Sequence, residues 1–473
     1  MTTPAAAAAL LRSRGYWALL AVAAIIGIPI SALAYFFLDL VSKLQHWIFT
    51  SLPDALGFHG EPLWWPVPPL LLAGLLVALT IRYLPGTAGH EPADGLSTKG
   101  APGPAELPGV ILAALATLAL GAVLGPEAPL IALGGGLAVC VVRLSRRDEP
   151  AAVARTVAAA GSFAAISALF GSPLLGAFLL MEAVGLGGLS LELVLLPGLL
   201  AAGIGSLVFI GLGHWTGLGT FSLRIGNLPH VGSPRASEFG WAIVIGVAAA
   251  LLGTGVRRLA LRARTVVERN RLLVTPAAGL VVAGLAVAYA AGTGHPSADV
   301  LFSGQTALPH LVAHAAGYSV GALLLLLACK SLAYGVSLSG FRGGPVFPSL
   351  FLGAAGGIAL SHLPGLGMVA GMAMGIGAMC AVMLRLPLTS VLLATLLLFS
   401  DGLVVTPLVI VAVVVGYVAA ARFSSDPLPG DAAGSGGAAG SGDDGGSVVT
   451  GSSGGTGGSG DPRRPPEGPV PAA

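Results

Sequence analysis

The sequence predicts an all-α polytopic integral membrane protein, built from two structural repeats that contain broken helices. Of its 473 residues 55% are hydrophobic and 9% are charged, whereas soluble domains carry roughly 25% charged residues. The 71 glycines and 34 prolines break many apolar runs into short pieces. Such short helices are tolerated at membrane depth only where protein or a water-filled cavity surrounds them. A Gly-Pro motif that occurs twice indicates the repeats.

The membrane spans begin where the apolar runs are long enough to cross the bilayer, which takes roughly 20 helical residues. Such runs begin near Tyr16, Pro66, Pro108, Ala151, Leu191, Trp241, Leu272, Gly317 and Leu366. More than eight spans are therefore expected. The first run, residues 16–38, is too long for the core of a signal peptide and is expected to be a retained helix.

Loops between the runs set the expected orientation and the segment boundaries. Arginines cluster before the first run, in residues 143–155 and in residues 257–271, and the positive-inside rule places such loops in the cytoplasm. The predicted segments are a cytoplasmic N-terminal segment (1–15), a first membrane repeat (16–222), a linker (223–238), a second membrane repeat (239–423) and a disordered Gly/Ser/Pro-rich tail (424–473). The tail cannot bury enough apolar surface to fold.

The doubled motif lies where a Gly/Pro-rich loop enters an apolar helix. The copies are Gly125-Pro126-Glu127-Ala128-Pro129 and Gly344-Pro345-Val346-Phe347-Pro348. A second motif follows each copy, Pro-Leu-Leu-Gly from Pro173 and Pro-Leu-Thr-Ser from Pro387, and its two copies lie nearly as far apart in the chain as those of the first motif. Two unlike motifs in the same order predict two repeats, and interrupted helices at matching positions indicate a channel or transporter.

Helix electrostatics predict the sign of the substrate. The N-terminus of a helix carries free N–H groups and a partial positive charge, so several such ends at one point bind an anion. Glycine before the helix lets the backbone approach the ion, and proline in the first turn removes no internal hydrogen bond. We expect an anion held without a fixed Lys or Arg, because partial charges bind weakly enough for fast conduction.

These motifs resemble those of the CLC family of chloride channels and chloride/proton antiporters. Members carry a Gly/Ser-rich loop ending in Ile-Pro, then Gly-Arg-Glu-Gly-Pro, a Pro-Leu-Ala-Gly helix ending in acids, and Gly-x-Phe-x-Pro. The corresponding blocks here are Gly89-His90-Glu91-Pro92, Gly125 to Pro129, Pro173 to Glu182, and Gly344 to Pro348. The order matches across roughly residues 16–422. The resemblance implies a homodimer with the CLC-like inverted-repeat fold, broken and re-entrant helices, and one pore per subunit.

The resemblance also implies the site residues. Glu127 aligns with the gating glutamate, whose deprotonated carboxylate occupies the outer anion site as a tethered competitor. The residues implied to bind the anion are Gly89, His90, Glu91, Pro92, Gly125, Glu127, Ala128, Pro129, Val346, Phe347 and Pro348. A structural Glu127 held by backbone N–H groups is the alternative, although an unneeded carboxylate inside a membrane is costly.

Two groups of departures from the family pattern bear on mechanism. Pro126 and Pro345 cannot donate a hydrogen bond, which leaves the number of anion sites open, and Gly89 replaces a serine ligand.

The inner relay glutamate aligns with Ala183, so the neighbouring Glu182 is the candidate proton relay, with a structural helix-end role as the alternative. Pro429 stands where the inner-gate tyrosine would lie. These losses favour a channel-like or weakly proton-coupled pore, and a strict chloride/proton antiporter or a transporter of another ion remains the alternative.

Other functional classes are less consistent with the sequence. A net charge of +2 does not favour nucleic acid. Among the apolar runs, no Gly-x-Ser-x-Gly or His-Glu-x-x-His motif marks a membrane enzyme, and no residue pattern predicts a metal or cofactor. The expected partners are chloride or a similar small anion, protons, the lipid bilayer and a second copy of the chain. The expected location is a bacterial plasma membrane, with both termini cytoplasmic.

Overall fold

The computed structural model describes residues 11–95, 100–145, 151–184, 189–219, 232–398 and 402–423. These residues are helical, with a single isolated β-bridge as their only strand-like pairing. They all belong to one compact unit. The predicted tail, which includes Pro429, lies outside the described residues, as do residues 1–10 and residues 223–231 of the predicted linker.

Sixteen α-helices are present in the described residues. They are α1 (Arg14–His46), α2 (Leu52–Ala55), α3 (Val67–Tyr83), α4 (Leu107–Ala119), α5 (Glu127–Ser145), α6 (Ala151–Phe170), α7 (Pro173–Val184), α8 (Leu189–Thr216), α9 (Ala236–Arg269), α10 (Arg271–Thr293), α11 (Ala307–Ala313), α12 (Val320–Gly340), α13 (Val346–Leu360), α14 (Met368–Leu384), α15 (Pro387–Leu397) and α16 (Gly402–Phe423). The last predicted linker residues, 236–238, already belong to α9.

Eight of these helices are long and apolar enough to cross a membrane, and six shorter apolar helices lie between them. The runs predicted near Pro66, Pro108 and Leu366 form shorter helices of 17, 13 and 17 residues, namely α3, α4 and α14. The chain after each of them turns out of the helix, for example through a left-handed Arg385 after α14. Most of these short helices lie next to a copy of one of the two repeated motifs.

The two repeats pack their helices in the same way. Helix α6 packs on α5 and α8 in the first half, and α14 packs on α13 and α16 in the second half. A Cβ atom added at Gly134 of α5 would meet the carbonyl oxygen of Gly161 in α6, and one added at Gly353 of α13 would meet that of Gly375 in α14. These glycine pairs recur at the same sequence offsets as the two motifs. Close helix contact at equivalent small residues therefore builds both halves.

Candidate functional site

The two copies of the doubled motif meet each other through their backbones. The N–H of Gly125 donates to the carbonyl of Gly344 at 2.8 Å, and the N–H of Gly344 donates to that of Gly125 at 2.6 Å, in an antiparallel bridge. Glu127 begins α5 and Val346 begins α13. The bridge thus brings two helix N-termini, one from each repeat, to one buried place.

Proline spacing limits the free donors at each N-terminus. Pro126 and Pro129 flank the first two residues of α5, and Pro345 and Pro348 do so for α13. Proline has no N–H, and the N–H of Leu130 is already bonded to the carbonyl of Pro126 at 3.0 Å. Two backbone donors therefore remain in the first turn of each helix. They belong to Glu127 and Ala128 in α5 and to Val346 and Phe347 in α13.

The carboxylate of Glu127 occupies one of these donors. Its Oε1 accepts a hydrogen bond from the N–H of Phe347 at 2.7 Å, so an acid of the first repeat binds the helix end of the second. Its Oε2 has no hydrogen-bond partner among the described residues. Glu127 is 0% exposed, and the positive end of α13 faces its carboxylate.

Two glycines make room for this carboxylate. A Cβ atom added at Gly344 would overlap Oε2 of Glu127, and one added at Gly125 would meet both carboxylate oxygens. Glycine is required here because the backbone must approach the acid closely. The motif's glycines therefore shape a pocket that holds a two-oxygen group beside the amides of α13.

A buried tyrosine and serine support the start of α13. The hydroxyl of Tyr334 in α12 donates to the carbonyl of Pro345 at 2.9 Å, and Ser349 donates to the same oxygen at 2.6 Å. Phe170, the last residue of α6, stacks on Phe347 with ring centroids 5.6 Å apart. No sequence motif marks these three residues. The only signal for Tyr334 and Ser349 is polarity within apolar helices.

The loop that leads into the predicted block from Gly89 to Pro92 has a strained backbone. Residues 86–89 all have positive φ, and they include the non-glycine residues Thr87 and Ala88. Such conformations cost roughly 1–3 kcal/mol each for non-glycine residues and persist only where surrounding contacts fix them. Here Arg342, 4% exposed, donates from Nε to the carbonyl of Thr87 at 3.3 Å and from Nη2 to Glu91 at 3.4 Å. Arg342 thus connects this loop to the turn that precedes Gly344.

Glu91 is the centre of a charged cluster. Its carboxylate pairs with Arg264 at 2.5 Å and with Arg271 at 2.9 Å, in addition to Arg342. Arg264 also pairs with Asp94. The side chain of Glu91 is therefore engaged by three arginines and fixes the loop that contains Gly89, His90 and Pro92.

Glu182, at the end of α7, binds the N-terminus of α15. Its Oε1 accepts from the N–H of Leu388 at 3.0 Å, and its Oε2 accepts from the N–H and the hydroxyl of Thr389 at 2.7 and 2.6 Å. Both oxygens therefore act as a cap supplied by the opposite repeat. These are the contacts expected of the structural helix-end role, which is the alternative to the predicted proton relay.

The structure brings together some predicted site residues and separates others. The two copies of the doubled motif form one site. The loop of residues 89–92 lies apart from them and is connected to the second copy through Arg342. No Lys or Arg hydrogen-bonds the Glu127 carboxylate within the described part of the chain. Among those same residues, no group of His, Cys, Asp and Glu side chains is arranged to hold a metal ion. A helix-end anion site is the chemistry that this arrangement offers.

Comparison with known proteins gives consistent results. Residues 93–421 match the family model described as "Voltage gated chloride channel". The "Putative ion-transport protein YfeO" of Escherichia coli O1:K1 is 32% identical over 352 residues, which cover 72% of this chain and 78% of that protein.

Solved structures share the fold. A slow cyanobacterial Cl-/H+ antiporter aligns with a TM-score of 0.70 and 19% identity, covering 87% of this chain and 96% of its own. A CLC-type fluoride/proton antiporter aligns with a TM-score of 0.61 and 21% identity, covering 90% and 99%. The all-α membrane fold with broken helices is therefore the CLC fold, and the chain is an ion-transport protein rather than an enzyme. It belongs to the voltage-gated chloride channel family, also called CLC.

Proposed function

We propose that this chain conducts chloride or a similar small anion through a pore in each subunit, gated by Glu127. The observation that carries this proposal is the hydrogen bond from the N–H of Phe347 to the Glu127 carboxylate. A free anion and a tethered carboxylate can use the same donor. Protonation of Glu127, or competition by the anion, would release the carboxylate and open the path.

Weak or absent proton coupling is the second part of the proposal. Ala183 aligns with the family's relay position. Both carboxylate oxygens of the neighbouring Glu182 accept hydrogen bonds at the N-terminus of α15. A relay must bind and release protons, which would break this cap. Strict antiport is the alternative, and it is kept open because the two structural neighbours above are described as proton antiporters. At identities of 19% and 21%, these neighbours support the fold and not the transport mechanism.

The remaining expectations accompany this proposal. We propose a homodimer in a bacterial plasma membrane, with the arginine-rich loops and both termini in the cytoplasm. By the positive-inside rule, we expect the arginines in the last turns of α9 and at the end of α5 to lie on the cytoplasmic side. Whether chloride, fluoride or another anion is preferred depends on the spacing of the four N–H donors at Glu127, Ala128, Val346 and Phe347.

The test is anion flux in liposomes that contain the purified protein. With the membrane potential clamped, we expect an imposed chloride gradient to drive chloride flux with little proton movement. Empty liposomes serve as the control for leak. Uphill proton movement at a fixed ratio to chloride would establish antiport and contradict the channel-like proposal. Ion-by-ion substitution in the same assay measures selectivity.

A further inference from the structure

The carbonyl oxygen of Pro345 accepts two hydroxyl hydrogen bonds in addition to the first bond of its helix. The N–H of Ser349 donates to it at 3.4 Å, which is long for an N–H···O bond. The hydroxyl of Ser349 donates at 2.6 Å and the hydroxyl of Tyr334 at 2.9 Å. Both side chains are fully buried. Because the two hydroxyl bonds are the shorter ones, they fix the direction of this carbonyl more firmly than the helix does.

This carbonyl belongs to the same peptide unit as the N–H of Val346. Such a unit is planar and trans, so its C=O and N–H point in opposite directions, and fixing one aims the other. The N–H of Val346 lies at the start of α13, within reach of the Glu127 carboxylate. Hydrogen bonds to a carbonyl also polarise its peptide unit, which strengthens the N–H as a donor by about 10–30% per bond. The two hydroxyls therefore aim and strengthen one of the proposed anion donors.

The first copy of the doubled motif has no such hydroxyls. Leu115 and Leu130 stand where the second copy has its tyrosine and serine, at the same distances from the motif. The carbonyl of Pro126 accepts the N–H of Leu130 at 3.0 Å, an ordinary helix bond. Helix α5 thus begins without hydroxyl support, so the two hydroxyls are not needed to start a helix at this motif. They occur at the copy whose amide binds the Glu127 carboxylate.

We propose that Tyr334 and Ser349 are positioning residues of the anion site, whose hydroxyls aim the Val346 N–H at the bound anion and raise the affinity for it. Their role rests on the proposed function, in which an anion takes the place of Glu127 at these donors. Both hydroxyls donate to one oxygen, so either alone holds the peptide in part. Loss of both should therefore weaken binding by more than the product of the two single losses.

The experiment is isothermal titration calorimetry of chloride binding to the purified full-length protein in detergent. All variants carry Glu127→Ala, so that no carboxylate competes with chloride. We expect Tyr334→Phe and Ser349→Ala each to lower the chloride affinity by about twofold and the pair to lower it by roughly tenfold. The number of chloride ions bound per chain should stay unchanged, because an effect on folding would lower that number instead of the affinity.

The matched control is Tyr289→Phe/Ser390→Ala in the same background. It also removes one buried tyrosine hydroxyl and one buried serine hydroxyl, which donate to Asp299 and to the carbonyl of Leu386. The chloride affinity should be the same as in Glu127→Ala alone. Equal losses in the test pair and the control pair would show a general effect of buried hydroxyls and would overturn the positioning role.

The remaining outcomes separate this role from the proposed function. Absence of chloride binding in Glu127→Ala itself would contradict the proposed anion site, and the positioning role with it. Chloride binding there, with unchanged affinity in the Tyr334→Phe/Ser349→Ala pair, would overturn the positioning role alone. Size-exclusion profiles and thermal midpoints verify folding. If the pair does not fold, the single variants decide, and unchanged chloride affinity in both of them would overturn the role.

Discussion

Two helix N-termini of the second repeat each receive a carboxylate from the first repeat, but they hold it differently. At α13, Glu127 has one oxygen bonded to the N–H of Phe347 and one without a partner in the described structure. At α15, Glu182 has both oxygens bonded, through three hydrogen bonds to Leu388 and Thr389. Glu127 is fully buried, and Glu182 is half-buried.

The proposed function makes Glu127 the movable acid and Glu182 the fixed one, and the difference in contacts supports this assignment. A buried oxygen without a partner costs about 1–3 kcal/mol, and more when it is charged, so the bound state of Glu127 is only partly compensated. Leaving its place breaks the hydrogen bond from the N–H of Phe347 and takes the carboxylate away from the N–H groups of Glu127 and Val346. Movement of Glu182 breaks three and uncovers the end of α15. We therefore expect a small anion to displace Glu127 more readily than Glu182.

Replacing Glu127 should have the largest effect on transport. In the unmodified protein, flux controlled by one proton changes by up to about tenfold per pH unit, rising as the pH falls because protonation releases the gate. In Glu127→Gln the carboxylate is gone, so we expect flux at neutral pH to rise by about tenfold and to vary little with pH. Chloride efflux from liposomes between about pH 5 and pH 8 measures both effects.

The matched variant for this comparison is Glu182→Gln. It should keep the pH profile of the unmodified protein. An unchanged pH profile in Glu127→Gln, or a flat profile in Glu182→Gln, would reverse the roles assigned to the two acids.

Gly344→Ala should have the second largest effect on transport. The added Cβ atom would overlap the Glu127 carboxylate, and overpacking of this kind costs about 1–3 kcal/mol. Displacing the carboxylate relieves this overlap and leaves a tight contact with the backbone nitrogen of Ala128 at 3.0 Å, so flux at neutral pH should rise several-fold. In a Glu127→Ala background the same substitution should have little further effect, and this non-additivity is measured by a double-mutant cycle.

Gly356→Ala is the control for a glycine replaced elsewhere in α13. A Cβ atom there would meet nothing closer than Leu327 at 3.9 Å. Equal effects of Gly344→Ala with and without Glu127 would show that the glycine does not act through the carboxylate.

The sequence predicts the site of Glu127 better than the contacts of Glu182. The doubled motif, its recurrence in the second half of the chain and the lone acid Glu127 are visible in the sequence because they are local patterns. That the two copies bond to each other, and that Phe347 donates to Glu127, depends on contact between residues 220 positions apart. Glu182 and Thr389 are 207 positions apart, and no local pattern marks their contact.

Charged residues show the same limit. Glu91 is predicted to contribute to an anion-binding loop, but nothing in its neighbourhood indicates three arginine partners from α9, α10 and the turn before α13. Arg342 is noticeable in the sequence as a charge within an apolar region, which is itself a functional indicator in membrane proteins. The pairing of Arg342 with Glu91 cannot be predicted from the sequence, because it depends on tertiary packing.

Glu182→Gln should act on stability instead of transport. The amide group of glutamine would face the N–H donors of α15, so at least one hydrogen bond is lost at a half-buried site. We expect a cost of about 1–2 kcal/mol and a lower thermal midpoint in detergent, with chloride flux within about twofold of the unmodified protein. A proton-coupled flux that disappears in this variant would instead establish Glu182 as a relay.

Thr389→Val should have the smallest effect, because it changes only one of the hydrogen bonds to Glu182. The substitution removes the hydroxyl that donates to Oε2 of Glu182 at 2.6 Å but keeps the backbone N–H, so the expected loss is about 1 kcal/mol. Its neighbour provides the control, because the hydroxyl of Ser390 donates only to the carbonyl of Leu386 four residues earlier. Ser390→Ala should shift the thermal midpoint less. If Thr389→Val altered proton movement while leaving stability unchanged, the α15 end would be part of the conduction path, and the two carboxylates would differ in degree of mobility alone.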